Sequence, residues 1–454
     1  MDEIDINSER SRLRAALVNV GHFASFAEAE RSLEASVLHV VVGEEGAGSL
    51  AGQAALLTAL AVGGRCFGRV TVSGNLDVPL SLSVPWLGKT LADAAGALEA
   101  APGGNEAART IVIGGSRSVR AWSVRPVWNG WCAGVVPGCV EGRPGRGDCP
   151  LAGVAAGALA VGEAFRGEQG DVRAGRVVQD FSLWEPQAQP NVAENPEMDA
   201  CYLPLHLWLV GLGNLGQAYF WSLATLPYAA PESVRLFLQD DDVVGKENWG
   251  TSILVERGRY GELKTRVVER CAEMRGFQVR RLDRRLGSGL ARQPNEPSLA
   301  LAGLDKISHR RLLAGPGFEY VIDGGLGATA SDFTHLRVNV FGDGFDLLRH
   351  FEGMDDRLSS LEALEELPAY QEIARTHSQG RCGSAMLAGQ AVAAPFVSAV
   401  AGAFVVAQAV RLATGLAPSL TIKADVSDMR GLRAASGTAA ERIRIPMAQA
   451  GKGC

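Results

Sequence analysis

Two copies of a strand, glycine turn and apolar helix predict an α/β protein with two doubly wound halves, each a parallel sheet flanked by helices. The copies are SVLHVVVGEEGAGSLAGQAALLTALAV at residues 36–62 and LHLWLVGLGNLGQAYFWSLATL at 205–226. A second echo lies late in each half, where CPLAGVAAGALAVGEAF (149–165) resembles AVAAPFVSAVAGAFVVAQAV (391–410). Apolar strands alternating with helices indicate parallel sheets, and the self-similarity makes an internal duplication the simplest account. Residues 183–200 are rich in Pro, Asn and Glu and have no apolar period, which marks a linker. The expected organisation is therefore a first domain at 1–184, a linker at 185–200 and a second domain at 201–454.

In the second half, strands are expected at 206–210, 233–239, 278–283, 299–303, 319–323 and 335–341, with helices at 214–226, 259–275, 308–314 and 385–413. Between the last strand and the last helix, LSSLEALEELPAYQEIAR is charged and helical in pattern, which predicts a crossover insertion over about 344–384. From Gly383 to Val410 no residue is charged. Length alone would license a membrane span there. Gln390, Ser398, Gln408, a mid-segment Pro395 and the alanine- and glycine-rich composition favour a buried helix instead.

Composition excludes some functions. The 454 residues are 47% hydrophobic and 21% charged, enough for two or three cores. A formal net charge of -6 argues against a nucleic-acid binder, whose surface carries a basic excess. Eight cysteines are scattered with no CxxC pair, which points to a reducing cytoplasm and no structural zinc. Asp2, Glu3, Asp5 and Glu9 precede any long apolar run, so no secretory signal is expected.

The second half carries the chemistry. Gly211, Gly213 and Gly216 let the backbone turn tightly after a strand and approach phosphate at a helix N-terminus, where free N–H groups favour an anion. Asp240, Asp241 and Asp242 end the next strand 24 residues after Gly216, within reach of ribose hydroxyls. Asn248 follows, and Lys264 comes after Gly-Glu-Leu at a helix start, a point charge for phosphate oxygens. Asp305 lies just beyond the apolar run LALAG, at the sheet edge where open α/β sheets bind ligands, and could hold magnesium against phosphates.

This series, Gly-x-Gly-x-x-Gly, Asp-x-Asp with Asn six positions on, Gly-x-x-Lys and a late Asp, resembles the Rossmann-like adenylation domain of ubiquitin-activating enzymes and sulfur-carrier adenylyltransferases. It covers about residues 200–420. The resemblance implies that Lys264 and Asp240 contact ATP, with Asp242 and Asn248 beside them, and that Asp305 serves Mg2+. It further implies attack by a C-terminal carboxylate on the α-phosphate of ATP. One departure is Thr251, where the family often has arginine.

The same resemblance assigns the first half to an inactive, degenerate partner in a pseudo-dimer. Gly43, Gly46 and Gly48 are irregularly spaced, the next strand ends in SGN, and TIVIGGS lacks an aspartate at its end. In the family an arginine from the N-terminal helix of one domain reaches the ATP of the other, and Arg14 or Arg10 is the expected donor. Cys382, in QGRCGS beside Arg381 and ahead of a helix, is the expected nucleophile, since such surroundings lower a thiol pKa. Its setting resembles the crossover loop of the autophagy-type activating enzyme. His377 is close in sequence and more naturally an unattached loop residue. The absence of paired CxxC motifs leans away from the zinc-holding sulfur-carrier enzymes.

The expected function is thus activation of a ubiquitin-like protein ending in glycine, by adenylation and then a thioester at Cys382, for transfer to a conjugating enzyme. Resemblance to bacterial conjugation operons carries the further expectation of a role in antiviral defence. No nucleic acid or membrane partner is expected, and a homodimer is left open. Two alternatives stay open: a sulfur-carrier or peptide adenylyltransferase without a thioester, and a non-catalytic nucleotide-binding scaffold.

Overall fold

The computed structural model of the chain describes residues 5, 7–104, 108–115, 121–140, 147–327, 332–342, 346–354, 366–376, 393–437 and 445–451. The first sheet comprises β1 Val37–Val42, β2 Arg69–Gly74, β3 Ala101–Pro102, β4 Arg109–Ile113, β5 Ser123–Asn129, β6 Cys132–Pro137 and β7 Gln179–Ser182, in the order β3-β2-β1-β4-β5-β6-β7. After β8 Tyr202–Pro204, the second comprises β9 His206–Val210, β10 Arg235–Gln239, β11 Gln278–Leu282, β12 Leu299–Ala302, β13 Tyr320–Leu326, β14 His335–Phe341, β15 Ser419–Asp425 and β16 Arg433–Ser436. Its order is β11-β10-β9-β12-β13-β14-β15-β16, and β17 Met447–Gln449 pairs with β8 as a separate ribbon.

The two sheets share one plan. In each, five strands run parallel, with the first strand central, and the sixth and seventh turn antiparallel. The second sheet adds β16, also antiparallel. The expectation of wholly parallel sheets is corrected on that side of each sheet. Strands β15 and β16 lie beyond the last helix that the sequence predicts. SLTIKAD buries Ser419, Ile422 and Ala424 against the core while Lys423 faces out.

The helices are α1 Ser11–Asn19, α2 Phe26–Ala35, α3 Glu44–Gly48, α4 Leu50–Cys66, α5 Leu91–Ala97, α6 Pro150–Glu168, α7 Asn214–Thr225, α8 Lys246–Trp249, α9 Lys264–Met274, α10 Ile307–Arg311, α11 Leu347–His350, α12 Pro368–Thr376 and α13 Pro395–Ala413. Four of them form a layer common to both sheets: α4 packs on α6, α6 on α13, and α13 on α7. Small residues permit the approach. A Cβ on Gly153 or Gly157 of α6 would stand 2.0 or 2.3 Å from the Ala51 or Ala55 carbonyl of α4. Phe165 meets Phe396 at 5.8 Å, and the Trp221 indole donates to Thr58 Oγ1 at 2.9 Å, so one continuous core serves both halves. Helix α13 is long and apolar enough to cross a membrane by composition, yet every residue of it is buried inside the protein. That is the position of a core helix.

Of the expected crossover, residues 346–354 and 366–376 are described, and α12 in the second of these stretches packs back on the first half. Tyr370 stacks edge-on against Phe26 at 5.1 Å and donates to Asn19 Oδ1 at 2.7 Å.

Candidate functional site

The glycine turn between β9 and α7 is built on backbone contact. Gly211 adopts a φ of +81°, and a Cβ on Gly216 would stand 1.9 Å from Gly211 O, so neither position accepts a larger residue without movement. Gly213, by contrast, faces open space at the start of α7. Beside it the buried Asn214 Nδ2 has no hydrogen-bond partner among the described residues. An orphaned donor at the N-terminus of a 12-residue helix suits an anionic ligand.

Asp240 holds this turn in place. Its carboxylate accepts from Leu212 N at 2.5 Å and from Asp242 N at 2.8 Å, fixing both the glycine turn and the acidic turn after β10. Burial pushes its pKa up, opposed by the Lys264 charge and by those two amides. Lys264 opens α9; its Nζ donates to Asp242 Oδ2 at 2.7 Å, and its N–H donates to Asp242 O at 3.0 Å. The expected helix at 259–275 thus begins at Lys264, which puts the ammonium at the sheet edge. Asp241 pairs with Arg285 at 3.2 Å. Ligand oxygens of the three aspartates lie within 4.8 Å of one another, but all three are engaged with protein groups. Asn248 forms a closed turn with Gly245, its Oδ1 accepting from Gly245 N at 2.8 Å. Thr251 is buried, its hydroxyl bonded to Asn248 O at 3.4 Å.

Asp305 stands on the loop between β12 and α10 with a side chain 71% exposed, 3.9 Å from His309 Nδ1. An open carboxylate at this edge fits a magnesium ion shared with phosphate oxygens. Behind it, Asp323 of β13 is fully buried, a carboxyl group inside the run VIDGG to which the sequence pattern assigns no role. Burial raises its pKa from 3.8 to about 6, against the pull of Arg310, Asn339 and Arg337. A raised carboxyl pKa in the fold favours the protonated form. Its stabilising contribution is therefore complete below 3.8 and is lost as the pH rises through about 6. The amount is roughly 3 kcal/mol. Urea unfolding of the wild type should show this fall between pH 4 and pH 7, and Asp323→Asn should flatten it; equal slopes would count against the assignment.

The N-terminal arginines separate in an unexpected way. Arg14 is buried and turned into the first half, paired with Glu30 and donating to Asp5 O at 2.8 Å. Arg10 donates to the carbonyls of Gly64, Arg65 and Phe67. Arg14 is thus turned away from the site, while Arg10 reaches only the Trp249 ring beside Asn248, at 5.3 Å. Arg12 instead lies in the field of Glu247 and Asp305, whose charges oppose the lowering of its pKa by burial.

Cys382, with Arg381 and His377, lies outside the described residues. Among the described cysteines, Cys66, Cys132, Cys149, Cys201 and Cys271 are buried; burial raises each thiol, to about 12 for all but Cys132, which disfavours the reactive thiolate.

Residues 37–183 match the family model of the BilD N-terminal domain and residues 203–416 that of the BilD C-terminal domain. The chain is also 34% identical over 403 residues to the bacterial E1-like protein BilD of Collimonas sp. (strain OK412), covering 86% of each protein. The chain belongs to the BilD family of E1-like proteins.

In the residues matched to the BilD N-terminal domain, the equivalent turn is packed as tightly as the one after β9. A Cβ on Gly46 would stand 2.6 Å from Ile113 O, and one on Gly114 1.9 Å from Gly46 N. At the N-terminus of α4 the Asp148 carboxylate accepts from Leu50 N at 2.9 Å and Ala51 N at 2.6 Å. The donors that would face a phosphate are satisfied from within the chain. Among solved structures, the BilD-family chain has a similarity to E. coli MccB at a TM-score of 0.33 and 14% identity, over 52% of this chain and 62% of that one. For E. coli MccB with ATP the values are 0.33, 12%, 53% and 65%. The match thus spans less than two thirds of the MccB chain.

Proposed function

We propose that this BilD-family protein is an ATP-dependent activating enzyme that adenylates the C-terminal glycine of a ubiquitin-like protein, then forms a thioester at Cys382 for transfer to a conjugating enzyme. The observation that carries the reading is the convergence of five groups on one edge of the second sheet: the Gly211–Gly216 turn, Asp240, Lys264, Asn248 and Asp305. ATP phosphates would lie at the start of α7, near the Lys264 ammonium. Asp305 would hold Mg2+, which supplies further neutralisation of phosphate charge.

The residues of the chain then serve two displacements. In the first, a carboxylate oxygen of the carrier bonds to the α-phosphorus as the bond to pyrophosphate breaks. In the second, the Cys382 thiolate bonds to the acyl carbon and AMP leaves. Both depend on positioning and neutralisation of charge. Arg12 replaces Arg14 as the arginine contributed from the first half, and it offsets the threonine at 251. The shared strand plan of the two sheets supports a pseudo-dimer, and the Asp148 carboxylate seated at the start of α4 supports an inactive first half.

The test is ATP–pyrophosphate exchange stimulated by a small protein ending in Gly, followed by detection of a thiol-sensitive adduct. Exchange should persist and the adduct should vanish in Cys382→Ala. Absence of exchange would remove the enzymatic reading, and an adduct surviving in Cys382→Ala would remove that nucleophile.

A further inference from the structure

Arg310 of α10 ties the Asp305 loop to the strand behind it. Its Nε and Nη2 both donate to Leu304 O, at 2.9 and 2.8 Å, and Nη2 also reaches Gly324 O of β13 at 3.2 Å. Its Nη1 lies 3.3 Å from Asp323 Oδ2. The carbonyl so held belongs to the residue immediately before Asp305. Two donors from one rigid guanidinium fork remove the freedom of that peptide plane to rotate.

The pairing is a poor device for stability alone. Asp323 is 0% exposed, yet neither of its oxygens has a partner in hydrogen-bond geometry among the described residues, and the same holds for Nδ2 of Asn339, directly opposite on β14. A buried ion pair with unfilled acceptors is commonly no better than apolar side chains of the same volume. What this one adds is placement: the exposed Asp305 carboxylate is carried on a backbone unit fixed from below.

We propose that Arg310 and Asp323 are positioning residues that hold the Leu304–Asp305 peptide so that the Asp305 carboxylate meets a divalent cation bound with a nucleoside triphosphate. The inference rests on the reading of Asp305 as the metal carboxylate. Arg310→Lys keeps the charge but loses the paired donation to Leu304 O, and Asp323→Asn keeps the shape but releases the guanidinium.

Calorimetry of ATP binding to the full chain, with Mg2+ absent and then titrated, tests this. Both variants should bind metal-free ATP as the wild type does. Their half-saturating Mg2+ concentration should rise about 10–100-fold, the usual consequence of losing a group that orients a metal ligand. Asp305→Asn should lose the Mg2+-dependent gain altogether. If Asp305→Asn loses it and the two variants keep the wild-type value, the positioning role is overturned while the metal reading stands. If Asp305→Asn also keeps it, the metal reading falls and the proposal with it.

Discussion

Lys264→Ala should reduce ATP–pyrophosphate exchange by about 10²–10³-fold, the usual cost of removing one charge-stabilising donor from a preorganised site. The fold should survive it. Lys264 is 12% exposed, but its partner Asp242 is 55% exposed, and an ion pair screened by solvent on one side contributes about 0–1 kcal/mol. Loss of exchange with an unchanged melting curve therefore separates a phosphate ligand from a structural lysine. The arginines give a paired contrast. Arg12→Ala should slow exchange in the same direction, since Arg12 lies in the field of Asp305 and Glu247. Arg14→Ala should act on stability instead, because it strips the partner from Glu30 inside the first half. If Arg14→Ala slows exchange at unchanged stability and Arg12→Ala does not, the assignment reverses.

That contrast also marks what a single sequence can carry. The α/β plan was legible because strands such as LHLWLV and LALAG are buried on both faces and read as unbroken apolar runs. The glycine turn, the acidic turn and Lys264 were legible because each stands at a strand or helix end, where spacing alone fixes the sheet edge. Arg12 was not. On a helix of 3.6 residues per turn, Arg10 and Arg14 share one face and Arg12 the opposite one, and nothing in SERSRLRAAL says which face meets the second half. Nor were β15 and β16, since β15 depends on pairing with the distant β14, and β16 on pairing with β15, rather than on their own short patterns. Asp323 did leave a signal, a carboxylate inside an apolar strand, but its partner Arg310 is 13 positions away in a different element.

Trp249→Ala should lower the unfolding free energy by about 3–5 kcal/mol, the range for an aromatic removed from a packed core. Trp249 is the hinge pin of the segment bearing Asn248. Three guanidiniums lie over its ring: Arg257 at 4.0 Å, and Arg10 and Arg65 from the first half at 5.3 and 5.6 Å. Arg65 is buried, and its charge is met by carbonyls rather than carboxylates, with donation to Ser252 O at 3.3 Å, Ile253 O at 2.9 Å and Val255 O at 3.1 Å. The neighbouring Cys66 supplies no counter-ion, since burial pushes its thiol up to about 12. Arg257 in turn pairs with Glu9 at 2.9 Å and Glu99 at 3.1 Å, both in the first half. Each stacked cation contributes roughly 0.5–2 kcal/mol, and the carbonyls of 252–255 keep their donors only while the ring keeps Arg65 in place. Truncating the indole should thus loosen the whole 246–260 segment and with it the approach to Lys264. Urea denaturation should show one transition moved to lower denaturant, since the core is continuous across the halves. ATP should bind more weakly to the folded variant. A change below about 0.5 kcal/mol, the scale of an ordinary surface substitution, would mean that the first half does not brace this segment.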